Sequence, residues 1–511
     1  MLRDDRFERL RDGATVHIKA VNWFGFNNRQ TMLDGLWSGG SAAASDFAAI
    51  TWQLRLLGFN GVRLPFLFDD VLRRAPKNAT LLSWCSPTTP AELARRAVDP
   101  DSPSELASAA GQPVPRPAVP LPPAGGDGVR CNSYLPWTST LDRFLWVVQW
   151  FAANGFFVLL DYHPMGNEYT SYDAGAFVGN WTTVWRAVTC LPNFQSDLKG
   201  RVFLDLLNEP DSIGQRWERA TPGGGRGEAA GLTELYLGAM DAIWRTAPGA
   251  PIFFVEGGGQ TGLRGVNWGN GFATDRALIA ERGLSDPNPF FEGLLKRPYR
   301  ASVVVSPHVY GPSVSTATDT YSGAAFIKML DTSFGYLSKK GYCTAAVSRR
   351  TGRALLDAED EAALAAAEAE EEDAADFAVA AAAPATPTTL GADSGNGTDR
   401  DSNNTSNTNG NNSTQQVPQQ GEPAPAAPVA ATVVRDCQRF PVAVGEFGSR
   451  FESREDLEHL NDFAAYLNNE GVGRTSEHNA VGSWMYWAYN DNRYVLDPCG
   501  AAPSNGRRGA S

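Results

Sequence analysis

The chain has 511 residues, of which 42% are hydrophobic and 11% aromatic, so it holds enough apolar material for a large core. Its net charge is −13 and no basic cluster is interleaved with aromatic residues, which excludes a typical nucleic-acid-binding surface. No apolar run approaches the roughly 18 residues that cross a bilayer, and the sequence contains no His-x-His or Cys-x-x-Cys pair, so we expect no membrane segment, metal or cofactor.

Strand-like and helix-like segments alternate along most of the chain. The strand-like segments are almost continuously apolar, which is typical of strands buried on both faces of a parallel sheet. The predicted strands are residues 16–22, 61–65, 156–161, 202–207, 251–255, 302–306, 441–445 and 481–487. The clearest predicted helices are residues 46–57, 141–154, 232–246 and 454–469. Eight strands with intervening helices predict an α/β fold, a (β/α)8 TIM barrel.

Two segments interrupt this alternation and are predicted to be insertions. Residues 86–130 contain 10 of the 33 prolines, which predicts a long surface loop. Residues 344–436 contain 15 acidic residues, five arginines and no lysine, together with Asn-rich and Pro/Ala-rich tracts. This composition predicts disorder, because it cannot bury enough apolar surface to offset the entropy of ordering. We therefore expect a barrel formed by residues 1–343 and 437–511.

Four of the six cysteines flank these insertions. Cys85 and Cys131 bracket the first, and Cys343 and Cys437 bracket the second. Two interpretations remain open for them: buried unpaired thiols, or two disulfides that each close the base of a long loop. The remaining two, Cys190 and Cys499, would be paired or free.

Several Asn-x-Ser/Thr sequons are compatible with an extracellular protein, although the Asn-rich tract generates them by composition. They begin at Asn78, Asn180, Asn396, Asn403, Asn404, Asn411 and Asn412. The first ten residues are charged and form no apolar signal-peptide core. We expect a secreted monomer whose leader is missing from this sequence, with an intracellular protein as the alternative.

Polar residues follow the predicted strands at the end where barrel enzymes carry their active sites. Asn208 and Glu209 end the fourth strand, and Glu446 ends the seventh. Two carboxylates in one cleft suit the cleavage of a glycosidic bond. One protonates the leaving oxygen, while the other is ionised to attack or stabilise the anomeric carbon. A third carboxylate, Glu256, follows the fifth strand, and we interpret it as structural.

The two Glu motifs, Asn208-Glu209-Pro210 and Gly445-Glu446-Phe447-Gly448, resemble the catalytic signatures of glycoside hydrolase family 5, the cellulase family. Other segments resemble the family's remaining motifs in the same chain order, and they are most similar to its bacterial-type endo-β-1,4-glucanase subfamily. These segments are residues 21–26, 35–37, 57–65, 161–163, 308–310 and 484–487. The resemblance therefore extends over nearly every predicted barrel strand.

The resemblance implies a role for each matching residue. Glu209 would be the general acid/base and Glu446 the nucleophile of a retaining, double-displacement mechanism. Arg63 and Tyr310 would hydrogen-bond Glu446 and keep it ionised. Asn208 would hold the sugar 2-hydroxyl.

Two histidines and four tryptophans complete the implied site. His163 and His308 would bind sugar hydroxyls or tune the acid/base. Apolar floors for pyranose rings are expected at Trp487, Trp268, Trp23 and Trp37, with core packing as an equal alternative for the last two.

The sequence departs from the subfamily pattern in three places. Tyr162 and Pro164 replace residues that are commonly Arg, and Leu207 replaces a residue that is often polar. After Asn492 the usual closing loop and final helix are absent.

We expect an endo-β-1,4-glucanase acting on β-glucan polysaccharide. A β-mannanase or other β-glycanase is the nearest alternative, and a non-catalytic glycan-binding barrel or a cell-wall scaffold is a more distant one.

Overall fold

The computed structural model divides the chain into two compact units, residues 1–344 with 436–511 and residues 345–435. It describes residues 2–3, 6–36, 47–76, 132, 135–164, 173–219, 229–315, 321–344, 347–348, 433–434 and 436–489. The loop predicted over residues 86–130 lies outside the described residues. So does the insertion predicted over residues 344–436, except for its first and last residues and a short antiparallel pair, Val347–Ser348 with Val433–Val434.

Nine parallel strands form the central sheet of the first unit. They are β1 (Lys19–Asn22), β2 (Gly61–Phe66), β3 (Phe157–Tyr162), β4 (Val202–Asp205), β5 (Phe253–Val255), β6 (Val303–Val305), β7 (His308–Tyr310), β8 (Val444–Gly448) and β9 (Trp484–Tyr486). Their hydrogen-bonded order is β7-β8-β9-β1-β2-β3-β4-β5-β6. The sheet curls on itself, because the backbone N–H of Val305 at the β6 edge donates to the carbonyl of Pro441, just before β8. Strands β6 and β7 thus share one barrel position, and the predicted (β/α)8 fold is confirmed.

Helices cover the outside of this sheet. The α-helices in the described part of the chain are α1 (Phe47–Leu56), α2 (Phe68–Leu72), α3 (Thr140–Ala153), α4 (Ala174–Thr189), α5 (Leu232–Thr246), α6 (Arg276–Arg282), α7 (Asn288–Leu295), α8 (Gly323–Leu330), α9 (Tyr336–Lys339) and α10 (Arg454–Asn468). Short 3-10 turns lie at Pro210–Ile213, Arg300–Ser302 and Gly471–Gly473, and π-helical turns at Phe194–Leu198 and Asp331–Gly335. The four predicted helices are confirmed to within one residue at each end. No helix in the described ranges is long and apolar enough to cross a membrane.

Side-chain alternation along the strands divides the barrel interior into two layers. The lower layer is apolar and packs against Phe7 of a small amino-terminal antiparallel sheet; its strand residues are Ala20, Leu159, Phe203, Phe254, Val304, Ala443 and Met485. Successive side chains of a strand point to opposite faces, so residues two positions further along also point inward. Those residues include Asn22, Asp161, Asp205 and Glu256, all of them buried. The carboxyl end of the barrel therefore carries a buried polar layer above an apolar plug.

One predicted strand boundary is wrong because of proline. The strand predicted at residues 441–445 begins at Val444, since Pro441 has no N–H to give to the sheet and Val442 forms only an isolated bridge to Val305. Pro307 separates β6 from β7, and the sequence pattern predicts no strand at β7.

One of the two predicted disulfides is present: Cys343 and Cys437 are bonded, with an S–S distance of 2.07 Å. They lie on a short antiparallel pair of strands, Tyr342–Cys343 and Cys437–Gln438. Cys190 is an exposed free thiol. The other predicted pair, Cys85 with Cys131, and also Cys499 lie outside the described residues.

Candidate active site

Arg63 on β2 is the centre of the polar layer, and its side chain is completely buried. Its guanidinium contacts carboxylates from four other strand positions: Asp161 at 3.0 Å, Asp205 at 3.0 Å, Glu256 at 3.1 Å and Glu446. It also donates to the side-chain oxygens of Asn22 at 3.1 Å and Asn208 at 2.9 Å. One cation thus contacts residues that lie up to 383 positions from it in the chain.

Burial alone would lower the pKa of the Arg63 guanidinium, but the surrounding carboxylates, Asp161 and Asp205 foremost, raise that pKa well above its usual value. Arg63 therefore remains a cation. Because it can act only as a donor, each oxygen atom that it contacts is held as an acceptor.

Both carboxylate oxygens of Glu446 have a donor. Oε1 pairs with Nη1 of Arg63, and Oε2 accepts a 2.7 Å hydrogen bond from the hydroxyl of Tyr310. Burial and the carboxylates of Glu446 and Glu209 raise the pKa of Tyr310 well above its usual value, so this hydroxyl keeps its proton. The carboxylate of Glu446 is thus held at both oxygens, by a buried cation and by a hydroxyl donor.

Glu209 lies at the end of the segment that follows β4, directly before the 3-10 turn Pro210–Ile213. Its backbone is left-handed, with φ 41° and ψ 63°. Its side chain keeps 14% of its surface exposed, against 3% for Glu446. An oxygen of Glu209 and an oxygen of Glu446 lie within 4.8 Å of each other. The two predicted carboxylates therefore share one site, and Glu209 is the more open to solvent.

His308, the first residue of β7, lies between two carboxylates. Its Nδ1 is 3.1 Å from Oε1 of Glu209, and its Nε2 is 3.1 Å from Oε1 of Glu256. Burial alone would lower the pKa of His308, but Glu256 and Glu446 raise it well above its usual value. His308 is therefore expected to be an imidazolium whose Nδ1 donates to Glu209 and whose Nε2 forms an ion pair with Glu256.

His163 and Asn208 form a second polar group beside Glu446. Nδ1 of His163 is 2.7 Å from the carboxylate of Asp161, which assigns the ring proton to that nitrogen. Its Nε2 then accepts from the side-chain amide of Asn208 at 3.3 Å. These contacts fix the side chains of His163 and Asn208 beside Glu446.

Two of the predicted tryptophans are partly exposed beside this group. The Trp487 ring is stacked on Phe24 at 5.9 Å and on His163 at 5.5 Å between ring centroids. The Trp268 ring lies edge-on to Tyr310 at 6.2 Å, and its Nε1 donates to the hydroxyl of Ser315 at 3.3 Å. Both rings are held by neighbours while keeping surface open to solvent.

The expectation that Trp23 forms a sugar floor is corrected by the structure. Trp23 has no exposed surface, because it packs among Phe47, Phe151 and Tyr489 in the core. Its Nε1 donates to the carbonyl of Asp34 at 3.0 Å. Core packing, the alternative, is the correct interpretation. Trp37 lies outside the described residues.

Sequence reasoning missed Asp161 and Asp205 as members of the site, and also Asp211. A charged residue inside an otherwise apolar strand was the available signal for the first two. Asp211 accepts backbone hydrogen bonds from Gly259 at 2.6 Å and Gly269 at 3.1 Å, so it holds the loop that carries Trp268. No pattern in the sequence indicates that contact.

Two groups of side chains have the donor types of a metal site: Asp161 with His163 and Glu446, and Glu209 with His308 and Glu446. Each group already has protein partners, among them Arg63 and Tyr310. A divalent ion at either place would compete with the Arg63 cation for the same oxygens, so we assign no metal there.

A parallel barrel with two facing carboxylates at the carboxyl ends of its strands has the arrangement of a glycoside hydrolase. Residues 126–370 match the family model described as Cellulase (glycosyl hydrolase family 5). The match includes Glu209 and His308; Arg63 and Glu446 lie outside it and are brought to the same site by the fold.

Among solved structures, the chain is similar to the catalytic domain of the major endoglucanase from Xanthomonas campestris pv. campestris, with 18% identity and a TM-score of 0.50 over 96% of this chain and 91% of that one. It is also similar to a hyperthermophilic endocellulase from Pyrococcus horikoshii, with 17% identity and a TM-score of 0.49 over 96% of this chain and 90% of that one. At 18% identity, the likeness to the Xanthomonas structure shows a shared fold.

Proposed function

We propose that this protein is a retaining endo-β-1,4-glucanase that hydrolyses β-1,4-linked glucan, with Glu446 as nucleophile and Glu209 as general acid/base. The observation that carries the proposal is the pair of carboxylates with oxygens within 4.8 Å. Retaining glycosidases hold their two carboxyl groups about 5–5.5 Å apart, whereas inverting enzymes leave about 6.5–9.5 Å for a water molecule.

The partners of each carboxylate support this division of roles. Both oxygens of Glu446 are held by donors, Arg63 and Tyr310, which fixes the orientation that a nucleophile needs. Glu209 is more exposed and has a histidine as its side-chain partner, which suits a group that exchanges protons with a leaving group and with water.

The reaction then has two balanced steps. A carboxylate oxygen of Glu446 bonds to the anomeric carbon while the glycosidic C–O bond breaks, and Glu209 gives its proton to the departing oxygen. Water next attacks the anomeric carbon, Glu209 takes the proton from that water, and the ester to Glu446 breaks. Both carboxyl groups return to their starting states.

Substrate class is supported by the aromatic surfaces. Partly exposed Trp487 and Trp268 are anchored by neighbouring rings or hydroxyls, and pyranose rings of β-glucans present C–H faces that pack on indole. The family match to cellulases agrees with this choice. A β-mannanase or another β-glycanase remains the second candidate, because the same catalytic core serves both sugars.

Hydrolysis assays decide between these candidates. We expect activity on carboxymethyl-cellulose well above that on galactomannan, with Glu446→Ala as the inactive control. Cellohexaose should give a spread of internal products whose new reducing ends are initially β. Release of glucose alone from one end would contradict endo action, and initial α products would contradict retention.

We also propose that the protein acts outside the cytosol. The disulfide between Cys343 and Cys437 supports this location, since such bonds persist mainly in oxidising compartments. Thiol titration of the protein isolated from its native source should detect the bond; two free thiols at these positions would contradict the proposal.

A further inference from the structure

Glu256 follows β5 and has no exposed surface, yet neither step of the proposed reaction uses its carboxyl group. It lies beneath the two reacting carboxylates, in the buried polar layer. The residue was interpreted from sequence as structural. Its contacts indicate a more specific role.

Three donors from three different parts of the barrel meet at this carboxylate. Oε2 accepts a 2.7 Å hydrogen bond from the backbone N–H of Glu209. Oε1 lies 3.1 Å from Nη2 of Arg63 and 3.1 Å from Nε2 of His308. All three groups carry donor protons, so both oxygens of Glu256 act as acceptors in this arrangement.

The contact with the Glu209 backbone occurs at an unusual conformation. A left-handed backbone is unfavourable at a residue other than Gly, Asn or Asp, and it persists only when its surroundings impose it. Here the backbone N–H of Glu209 is held by Glu256, and Pro210 follows Glu209 directly. The direction in which the Glu209 side chain leaves the backbone is therefore set partly by Glu256.

The contact between Glu256 and His308 also affects the carboxyl group of Glu209, because His308 touches that group with its other ring nitrogen. Since Nε2 of His308 faces Glu256, its Nδ1 is aimed at Oε1 of Glu209. One Glu256 carboxylate thus fixes both the backbone of Glu209 and the imidazole that contacts its side chain. Gly269, with φ 77°, packs directly on Oε2 of Glu256, where an added Cβ would collide with that oxygen.

We propose that Glu256 is a positioning residue for the acid/base step, holding Glu209 and His308 in the geometry that protonates the leaving group. The proposal rests on the proposed function. It assigns to Glu256 no contact with substrate. Its effect should be confined to the steps in which Glu209 transfers a proton.

The test is the dependence of kcat/KM on leaving-group acidity in Glu256→Gln, an isosteric change that replaces one acceptor oxygen by a donor. Phenyl β-cellobioside needs a proton on its leaving oxygen, whereas 2,4-dinitrophenyl β-cellobioside departs without one. We expect kcat/KM to fall about 100-fold for the first and less than about five-fold for the second, because general acid catalysis supplies roughly 10²–10⁴.

Asp331→Asn is the matched control. Asp331 is also a buried carboxylate, but it accepts from Tyr466 at 3.0 Å and contacts His478 at 3.0 Å in the helical layer. Its loss should lower Tm while changing kcat/KM for the two cellobiosides by the same factor. An equal fall for the two substrates in Glu256→Gln would overturn the proposal.

Two further measurements test the proposal if Glu256→Gln does not fold. Glu256→Asp keeps the charge but shortens the reach, so it should show a smaller loss with the same preference for the dinitrophenyl substrate. In the unaltered protein, the Glu209 amide should exchange slowly with solvent, and fast exchange would contradict the contact with Glu256. If the unaltered protein cleaves neither cellobioside nor cellohexaose, the proposed function fails, a result distinct from loss of leaving-group dependence.

Discussion

The hydroxyl of Tyr310 donates a 2.7 Å hydrogen bond to Oε2 of Glu446, from the strand next to it in the barrel. Cα pairing of His308 with Glu446 and of Tyr310 with Gly448 sets this geometry. The parallel register thus places two side chains of β7 beside the proposed nucleophile. Arg63 holds the other oxygen from β2.

Tyr310→Phe should therefore lower kcat/KM about 10–100-fold, because one preorganised donor to a reacting carboxylate is lost. Tyr299→Phe is the matched control, since the Tyr299 hydroxyl also donates to a carboxylate, that of Asp241 at 2.5 Å, but in the helical layer. Steady-state kinetics on an aryl cellobioside measures both. Equal losses in the two variants would refute a specific role for the hydroxyl.

The roles of the two carboxylates are separable by azide. Glu446→Ala should lose activity, and azide should restore it with a product of inverted anomeric configuration, because the small anion occupies the space of the missing carboxylate. Glu209→Ala should keep turnover of activated aryl cellobiosides and gain a β-glycosyl azide. Product configuration by NMR gives the result, and the reverse pattern would exchange the two roles.

The two exposed tryptophans should differ in kinetic effect. Trp487 stacks on His163, next to Glu446, so Trp487→Ala should lower kcat as well as affinity. Trp268→Ala should mainly raise KM, as expected when binding is lost equally in ground and transition states. Cellohexaose kinetics measures both effects. Trp487→Phe keeps a flat apolar ring as the control, and an unchanged kcat in Trp487→Ala would contradict the placement.

Asp211 gives a prediction about pH. Burial raises the pKa of this carboxyl to about 6. A raised carboxyl pKa means that the folded state binds the proton more tightly, so this stabilisation is present near pH 4 and is lost as pH rises through 6. The test compares the free energy of unfolding of the unaltered protein with that of Asp211→Asn. The advantage of the unaltered protein should fall by on the order of 1–2 kcal/mol between pH 4 and pH 7.

Asp241→Asn is the control with the opposite sign. Although burial alone would raise the pKa of Asp241, hydrogen bonds from Arg297 and Tyr299 lower it. The advantage of the unaltered protein over Asp241→Asn should thus be present at neutral pH and decrease as pH falls below about 4. Urea unfolding at several pH values measures both differences. If both differences in unfolding free energy changed in the same direction with pH, the opposite pKa shifts of Asp211 and Asp241 would be contradicted.

Removal of residues 345–435 should leave the active site intact. Thr344 and Asp436 are joined by a 3.0 Å backbone hydrogen bond, so a short turn can connect them. We expect kcat to remain within about three-fold, because surface insertions contribute little to the geometry of a rigid site. Loss of folding or activity would show that the barrel requires this segment.

The same deletion changes what the disulfide contributes. Cys343 and Cys437 are 94 residues apart in the full chain and would enclose only a few residues after deletion. The entropic gain from a cross-link grows with loop length, so reduction should destabilise the full chain by roughly 2–3 kcal/mol more than the deleted one. Urea unfolding with and without reductant tests this, and equal effects would contradict it.

The sequence by itself determined the barrel class and the positions of the two central carboxylates in the chain. Local patterns suffice for these, because an apolar strand that ends in a polar residue is visible within a few positions, as at Glu209 and Glu446. The cysteines that flank the larger insertion left two interpretations open, and the structure contains the disulfide. Pro441 and Pro307 are visible in the sequence as well. Proline has no backbone N–H, so its effect on a strand depends on which neighbouring strand would have accepted that hydrogen bond.

Only the tertiary structure decided which of the remaining residues belong to the site. Trp23 and Trp487 look alike in sequence, yet one is enclosed by core aromatics and the other lies at the open end of the barrel. Glu256 acquires its contacts from β2, β7 and the segment after β4, which are distant in the chain. Burial and long-range hydrogen bonds depend on how closed the barrel is and in which register, and no local pattern of residues specifies them.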